Sequence, residues 1–164
     1  MSDAPTADSL ATSLVCGCEG FRSAPYLDSA GIWTIGYGTI RINGQPVTAN
    51  TPPIDEPTAR TLMESELQPV VKSVRGLLCP GAGPWSVTEA QIAACASFSY
   101  NEGLGAFRGS TILYLIHQGD DAGAAEHFMD WIYDHDPVTH QLVEVEGLRN
   151  RRLKEQAVFL GAAP

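Results

Sequence analysis

The chain has 164 residues, enough for one domain with a real hydrophobic core, and its 44% apolar and 18% charged residues mark a globular rather than a disordered sequence. Ten Lys and Arg against nineteen Asp and Glu leave a net charge of −9, which excludes the long-range attraction to phosphate on which nucleic-acid binding rests. No stretch approaches the roughly 18 apolar residues that span a bilayer, and the opening MSDAPTADSLATSLVCGC lacks the basic start and long apolar core of an export signal, so the chain reads as made in the cytoplasm, with no signal peptide and no membrane insertion.

Taken in order, Leu10, Ala11, Leu14, Val15 and Cys18 recur at helical spacing behind Asp8 or Ser9, either of which is placed to cap, and predict a first helix over about 9–19. Gly20 is its stop, which leaves Glu19 at the carbonyl end. The following stretch is rich in Gly, aromatic and β-branched residues, with turn signals at Ser29-Ala30-Gly31 and Asn43-Gly44, and reads as a small antiparallel sheet lobe over about 20–50. Thr51-Pro52-Pro53 and Glu56-Pro57 mark the exit. Ala59, Leu62, Met63, Leu67 and Val70 then predict a long helix over about 56–75, perturbed at Pro69.

Pro80, Gly81, Gly83 and Pro84 read as a loop, and everything after Trp85 as short helices over about 85–160. One opens at Thr88, with Gln91 at capping-box spacing ahead of Ile92, Ala96 and Ser99. Another opens near Ser110, and a third, capped by Asp120 or Asp121, contains Ala124, Ala125, Phe128, Trp131 and Ile132. The last follows Gly147 and carries Leu148, Leu153, Ala157 and Leu160 as its apolar positions. Trp33 and Trp131 read as core residues. The sum is an α+β fold in one domain over 1–164, a sheet lobe and a helical lobe joined by the long helix, with a groove between them.

Cys16, Cys18, Cys79 and Cys95 have neither the density of a disulfide scaffold nor zinc-ribbon spacing, and most read as small buried hydrophobes, with a regulatory thiol beside Glu19 as the alternative. His117, His127, His135 and His140, with Asp134 and Asp136, lack any fixed metal-ligand spacing and read as solvated loop residues, so no metal is expected.

Glycosidic cleavage needs a protonated carboxyl beside the leaving oxygen and a second group that manages water or charge across the sugar ring. Glu19 suits the first part, because a helix C-terminus disfavours its anion. Asp28, in a turn with Ser29 and Gly31, has backbone donors nearby that favour its ionised form, which suits the second. Eight residues separate Glu19 from Asp28, five separate Asp28 from Thr34, and Ile-Gly-Tyr-Gly follows, giving EGFRSAPYLDSAGIWTIGYG.

That segment resembles the signature of the phage lysozymes, or endolysins, of glycoside hydrolase family 24, which includes the T-even phage lysozyme. SFSYNEGLGAFRGSTILYLIHQGD is similar to the family's central bundle segment and GLRNRRLKEQAVFL to its closing Gly-Leu-x-x-Arg-Arg helix, so the likeness covers most of residues 10–160. It implies the lysozyme-like fold and hydrolysis of the β-1,4 bond between N-acetylmuramic acid and N-acetylglucosamine in bacterial peptidoglycan. Glu19 would be the acid, Asp28 the second carboxylate, and Thr34 a holder of water. No cofactor is implied. Direct attack by water would give inversion.

Tyr26 and Asn101 are candidate sugar contacts, each with a packing or helix-end alternative, and Tyr37 reads the same way as Tyr26. The closing helix either places one of Arg149, Arg151 and Arg152 against Glu19, as the family resemblance implies, or presents them with Lys154 as an exposed basic face, and the register alone does not choose. The expected protein is a monomer that reaches the murein layer after holin release or delivery. Two alternatives stay open: a lytic transglycosylase, which would need the Glu19 carboxyl alone, and a non-catalytic wall-binding module, which would be expected to lose a chemical residue. The acidic charge departs from the many basic members of the family and bears on setting, not on chemistry.

Overall fold

Thr6, rather than Asp8 or Ser9, opens the first helix in the computed structural model, which describes residues 4–79 and 86–164. Its side chain accepts from the Ser9 amide, and helix α1 runs over Ala7–Glu19 with Asp8 in its first turn, where a negative charge suits the helix dipole. Gly20 ends it at φ 73, a backbone state that a side chain disfavours.

The sheet lobe is two separate hairpins. Strand β1 (Arg22–Leu27) pairs antiparallel with β2 (Trp33–Gly36), placing Tyr26 across from Thr34, around the predicted Ser29-Ala30-Gly31 turn. Strand β3 (Arg41–Ile42) pairs with β4 (Gln45–Pro46) around Asn43 and Gly44, both at positive φ, as a tight two-residue hairpin demands. Trp33 is half-buried on β2 and stands outside the main core, contrary to expectation.

Helix α2 spans Glu56–Leu78, three residues beyond the expected end at 75. Asp55 caps it, and Ala59, Met63, Leu67, Val71, Val74 and Leu78 form one buried stripe at helical spacing. Pro69 does not break the helix. It lies on the exposed side with Ser65, so the carbonyl that lost its amide partner faces water. The loop expected at Pro80, Gly81, Gly83 and Pro84 lies outside the described residues.

Helix α3 (Glu89–Glu102) opens with the expected capping box between Thr88 and Gln91. It is buried on every side from Gln91 to Ser99, because α1, α2 and the closing helix all pack against it. Helices α4 (Leu104–Arg108), α5 (Thr111–Gln118, capped by Ser110) and α6 (Asp121–Glu126, capped by Asp120) follow, and a 3-10 turn over His127–Trp131 carries Phe128 into the core. Trp131 packs edge-on against Phe98 at 5.1 Å between ring centres.

Two expectations for the helical lobe fail. The chain after Trp85 is not all helical: β5 (Tyr133–His135) and β6 (Leu142–Glu144) make a third hairpin. The Asp136 carboxylate closes it by accepting from the Val138 and Thr139 amides, a local turn chemistry that overrides the helical pattern. The last helix, α7 (Glu146–Phe159), also buries a different face. Leu153 and Leu160 are exposed, while Arg151, Arg152 and Glu155 join Val158 and Phe159 inside. Its inward side is charged because those charges neutralise one another there.

Candidate active site

Glu19 ends α1, and its Oε1 accepts from the Arg151 guanidinium at 2.5 Å. Arg151 is therefore the arginine that the closing helix presents to Glu19. Arg149 is exposed and pairs with Glu144 at 3.0 Å. Arg152 is fully buried, bonded to Asn101 Oδ1, 3.4 Å from Glu102, and its guanidinium lies over the Phe98 ring. The expected exposed basic face thus shrinks to Arg149 and Lys154, and Lys154 donates to the Gly17 carbonyl at the end of α1, where a cation suits the helix dipole.

Between the two arginines sits Glu155, also fully buried. One of its oxygens accepts from Arg151 Nε at 3.2 Å and from the Ser97 hydroxyl at 2.7 Å, and the other lies 3.0 Å from Arg152 Nε. Burial pushes the Glu155 carboxyl up from its ordinary range, against the pull of Arg152, Ser97 and Arg151. Burial would lower Arg151 as well, but Glu155 and Glu19 outweigh it and hold this guanidinium above its usual range. For Arg152 burial wins, and its value falls.

A cavity of about 440 Å³ opens where α1, α3 and α7 meet, lined by Cys18, Asn101, Leu148, Asn150, Arg151 and Lys154 among others. Asn101 lines it, one residue before the end of α3, and its side-chain carbonyl is held by Arg152.

Asp28, Thr34 and Tyr26 belong together on the β1–β2 hairpin. Asp28 Oδ1 accepts from the Ala30 and Ile32 amides at 2.9 and 2.8 Å, while Oδ2 takes no bond among the described residues. These are the backbone donors that the turn residues led us to expect. The Thr34 hydroxyl is nearly buried and donates to the Ile32 carbonyl at 3.0 Å, so its lone pairs stay available to a donor such as water. Arg22 covers one face of the Tyr26 ring at 4.5 Å, which leaves at most the other face for a sugar to stack on. Tyr37 is a packing residue: it is buried against Phe21 and donates to Glu56 at 2.6 Å.

The predicted residues therefore form two groups, Glu19 with Asn101 through Arg151, Glu155 and Arg152, and Asp28 with Thr34 and Tyr26 through the hairpin. No hydrogen bond or ion pair joins the two groups among the described residues. Glu155, Ser97 and Glu102 were missed from the sequence, although Glu155 stands three and four places after the paired arginines, the spacing at which helical ion pairs form.

Cys16 is buried and its thiol is pushed up to about 11, chiefly by burial, and the half-buried Cys18 is raised by the same cause. Both shifts disfavour the reactive thiolate, which weighs against the regulatory alternative. Cys95 is a buried hydrophobe, whereas Cys79 is exposed at the end of α2. Among the described residues no group of His, Cys, Asp and Glu is arranged to hold a metal ion.

The family model described as phage lysozyme matches residues 17–155, from just before Glu19 to Glu155. The chain belongs to the phage lysozyme family. The endolysin of Bacillus phage PZA is 35% identical over 154 residues, covering 93% of this chain and 54% of that protein. The chain thus spans about half the length of the Bacillus phage endolysins it matches. Among solved structures, the endolysin from Escherichia coli O157:H7 phage FAHEc1 superposes with a TM-score of 0.79 at 30% identity, covering 100% of this chain and 97% of that one. The muramidase domain of SpmX from Asticaccaulis excentricus gives 0.72 at 28% identity, covering 93% and 95%. The lysozyme-like fold, small antiparallel hairpins beside a helical lobe, is common to this set.

Proposed function

We propose that this phage lysozyme homologue is a muramidase, hydrolysing the β-1,4 bond between N-acetylmuramic acid and N-acetylglucosamine in bacterial peptidoglycan. The observation that carries the reading is a complete Glu19, Asp28, Thr34 set on the family's fold, with the Glu19 carboxyl at a helix end and oriented by Arg151. Glu19 gives its proton to the glycosidic oxygen as that bond breaks. Arg151 then stabilises the carboxylate that remains. Asp28, with Oδ2 open, takes a proton from water as it attacks the anomeric carbon from the opposite face, and the Thr34 oxygen accepts from that water and positions it. Attack from that side inverts the anomeric centre. Asn101 is assigned to sugar binding, and Tyr26 through the ring face that Arg22 leaves open.

The two lobes work as one domain, active as a monomer with no cofactor. A net charge of −9 supports the reading that nucleic acid is not a partner. No helix among the described residues is long and apolar enough to cross a membrane. Access to murein by holin release or delivery belongs to the same reading.

Mass spectrometry of digested murein tests the chemistry. A hydrolase yields muropeptides with a reducing N-acetylmuramic acid end, and NMR of the first-formed product shows the inverted anomer. Products lighter by one water would replace this reading with a lytic transglycosylase, and murein bound but uncut would replace it with a wall-binding module.

A further inference from the structure

Three charged side chains sit at the centre of the helical lobe, and hydrophobic residues of the same size would hold the helices together at least as well. Glu155 and Arg152 are fully buried and Arg151 is 6% exposed. What apolar residues could not do is point two guanidinium groups in fixed directions. Glu155 meets both arginines at their Nε atoms, Arg151 by a hydrogen bond at 3.2 Å and Arg152 by an ion pair at 3.0 Å. The outer nitrogens are thereby left to project forward, Arg151 to Glu19 and Arg152 to Asn101. Ser97, from α3, fixes the shared carboxylate in turn by donating to it at 2.7 Å.

We propose that Glu155 is a positioning residue, one buried carboxylate that aims Arg151 at Glu19 and Arg152 at Asn101 and so sets how the proposed acid and the proposed sugar contact stand relative to each other. The kinetic part of this inference rests on the muramidase reading. A long side chain tethered only at its tip samples several rotamers, and a second tether at Nε removes that freedom. Without the Glu155 charge, two cations share a buried seam, and Arg151 keeps only the Ser97 carbonyl, 3.4 Å from its Nη2, beside the carboxylate it is meant to orient.

The test uses Glu155→Gln, which keeps the shape and removes the charge, together with Arg151→Met and the double variant. On soluble murein fragments, Glu155→Gln is expected to lower kcat about 10- to 100-fold, the cost of a catalytic group displaced by about an ångström, with KM changed less than about threefold. In the Arg151→Met background the same substitution should add no further loss of kcat. If Glu155→Gln still lowers kcat about 10-fold or more in the Arg151→Met background, its effect does not run through Arg151, and that outcome overturns the inference.

A second readout does not depend on activity. Nitrogen-15 NMR should find the Arg151 Nε–H slow to exchange in the native protein and fast in Glu155→Gln, and carbon-13 NMR should find a shift of the Glu19 carboxyl carbon. If neither signal changes, the inference fails even in an active enzyme. If the native protein cuts no murein, the muramidase reading fails and the NMR result alone decides the positioning role. Should Glu155→Gln not fold, Ser97→Ala removes only the hydroxyl that holds Glu155. It is then expected to lower kcat about threefold and to speed Arg151 Nε–H exchange, while unchanged values of both would contradict the proposal.

Discussion

Glu19 and Asp28 are held in opposite ways. Asp28 is fixed by its own neighbourhood, with its carboxylate bonded to amides two and four residues ahead in a solvent-facing turn. Glu19 stands at the end of a helix and takes its partner from 132 positions away, through an arginine seated on a buried carboxylate. The first arrangement needs five residues in the right turn, and the second needs α1, α3 and α7 packed together. Damage to the helical core should therefore reach Glu19 and leave Asp28 in place.

The largest effect expected from this contrast is on stability. Arg152→Met strips Glu155 of one of its two cations in a fully buried seam, and urea unfolding should show a loss of about 3–5 kcal/mol. Asp28→Asn keeps an oxygen for both turn amides while removing the charge. Murein clearing should fall about 100-fold, with the thermal midpoint moved by only ~2 °C. If Asp28→Asn destabilised the protein as much as Arg152→Met does, the distinction between a local and a long-range support would collapse.

A smaller effect is expected at Gly20, which links the Glu19 helix to the hairpin. A Cβ there meets nothing within 4 Å, so Gly20→Ala tests backbone strain alone at φ 73 and should cost about 1–2 kcal/mol in chemical denaturation. The smallest lies at the far end of α1, where Glu89 accepts from the Ala7 amide and pairs with Arg75 at 2.8 Å. The Arg75 bond lowers the Glu89 carboxyl below its ordinary 4.5, so the unfolded chain binds this proton more readily than the folded one. The stability Glu89 contributes is complete above about pH 4.5 and drains away as the pH falls through the lower folded value. Glu89→Gln should flatten the acid side of a midpoint-against-pH curve and leave Glu19 and Asp28 chemistry unchanged.

What could be read from the sequence follows the same division between local and distant causes. The capping box at Thr88 and Gln91, the caps at Ser110 and Asp120, the Asn43-Gly44 turn and the backbone donors to Asp28 are contacts within four residues, and each was visible as a short pattern. The buried side of α7 was not visible. Apolar periodicity picked Leu153 and Leu160, yet the helix turns Arg151, Arg152 and Glu155 inward, because their partners Glu19, Ser97, Asn101 and Glu102 arrive from α1 and α3. Periodicity assumes that buried means apolar, and it fails where distant charges neutralise one another. The hairpin after Tyr133 escaped because its decisive contact, Asp136 to the Val138 and Thr139 amides, was embedded in a stretch read for metal ligands and helices.

The most direct test of Glu19 as the acid is the rate of murein turbidity loss for the native protein beside Glu19→Gln. The substitution keeps the shape and an acceptor oxygen for Arg151 but removes the proton to be given. With thermal unfolding confirming that both proteins are folded, the rate should fall about 100-fold or more if Glu19 is the acid, and equal rates would contradict that role.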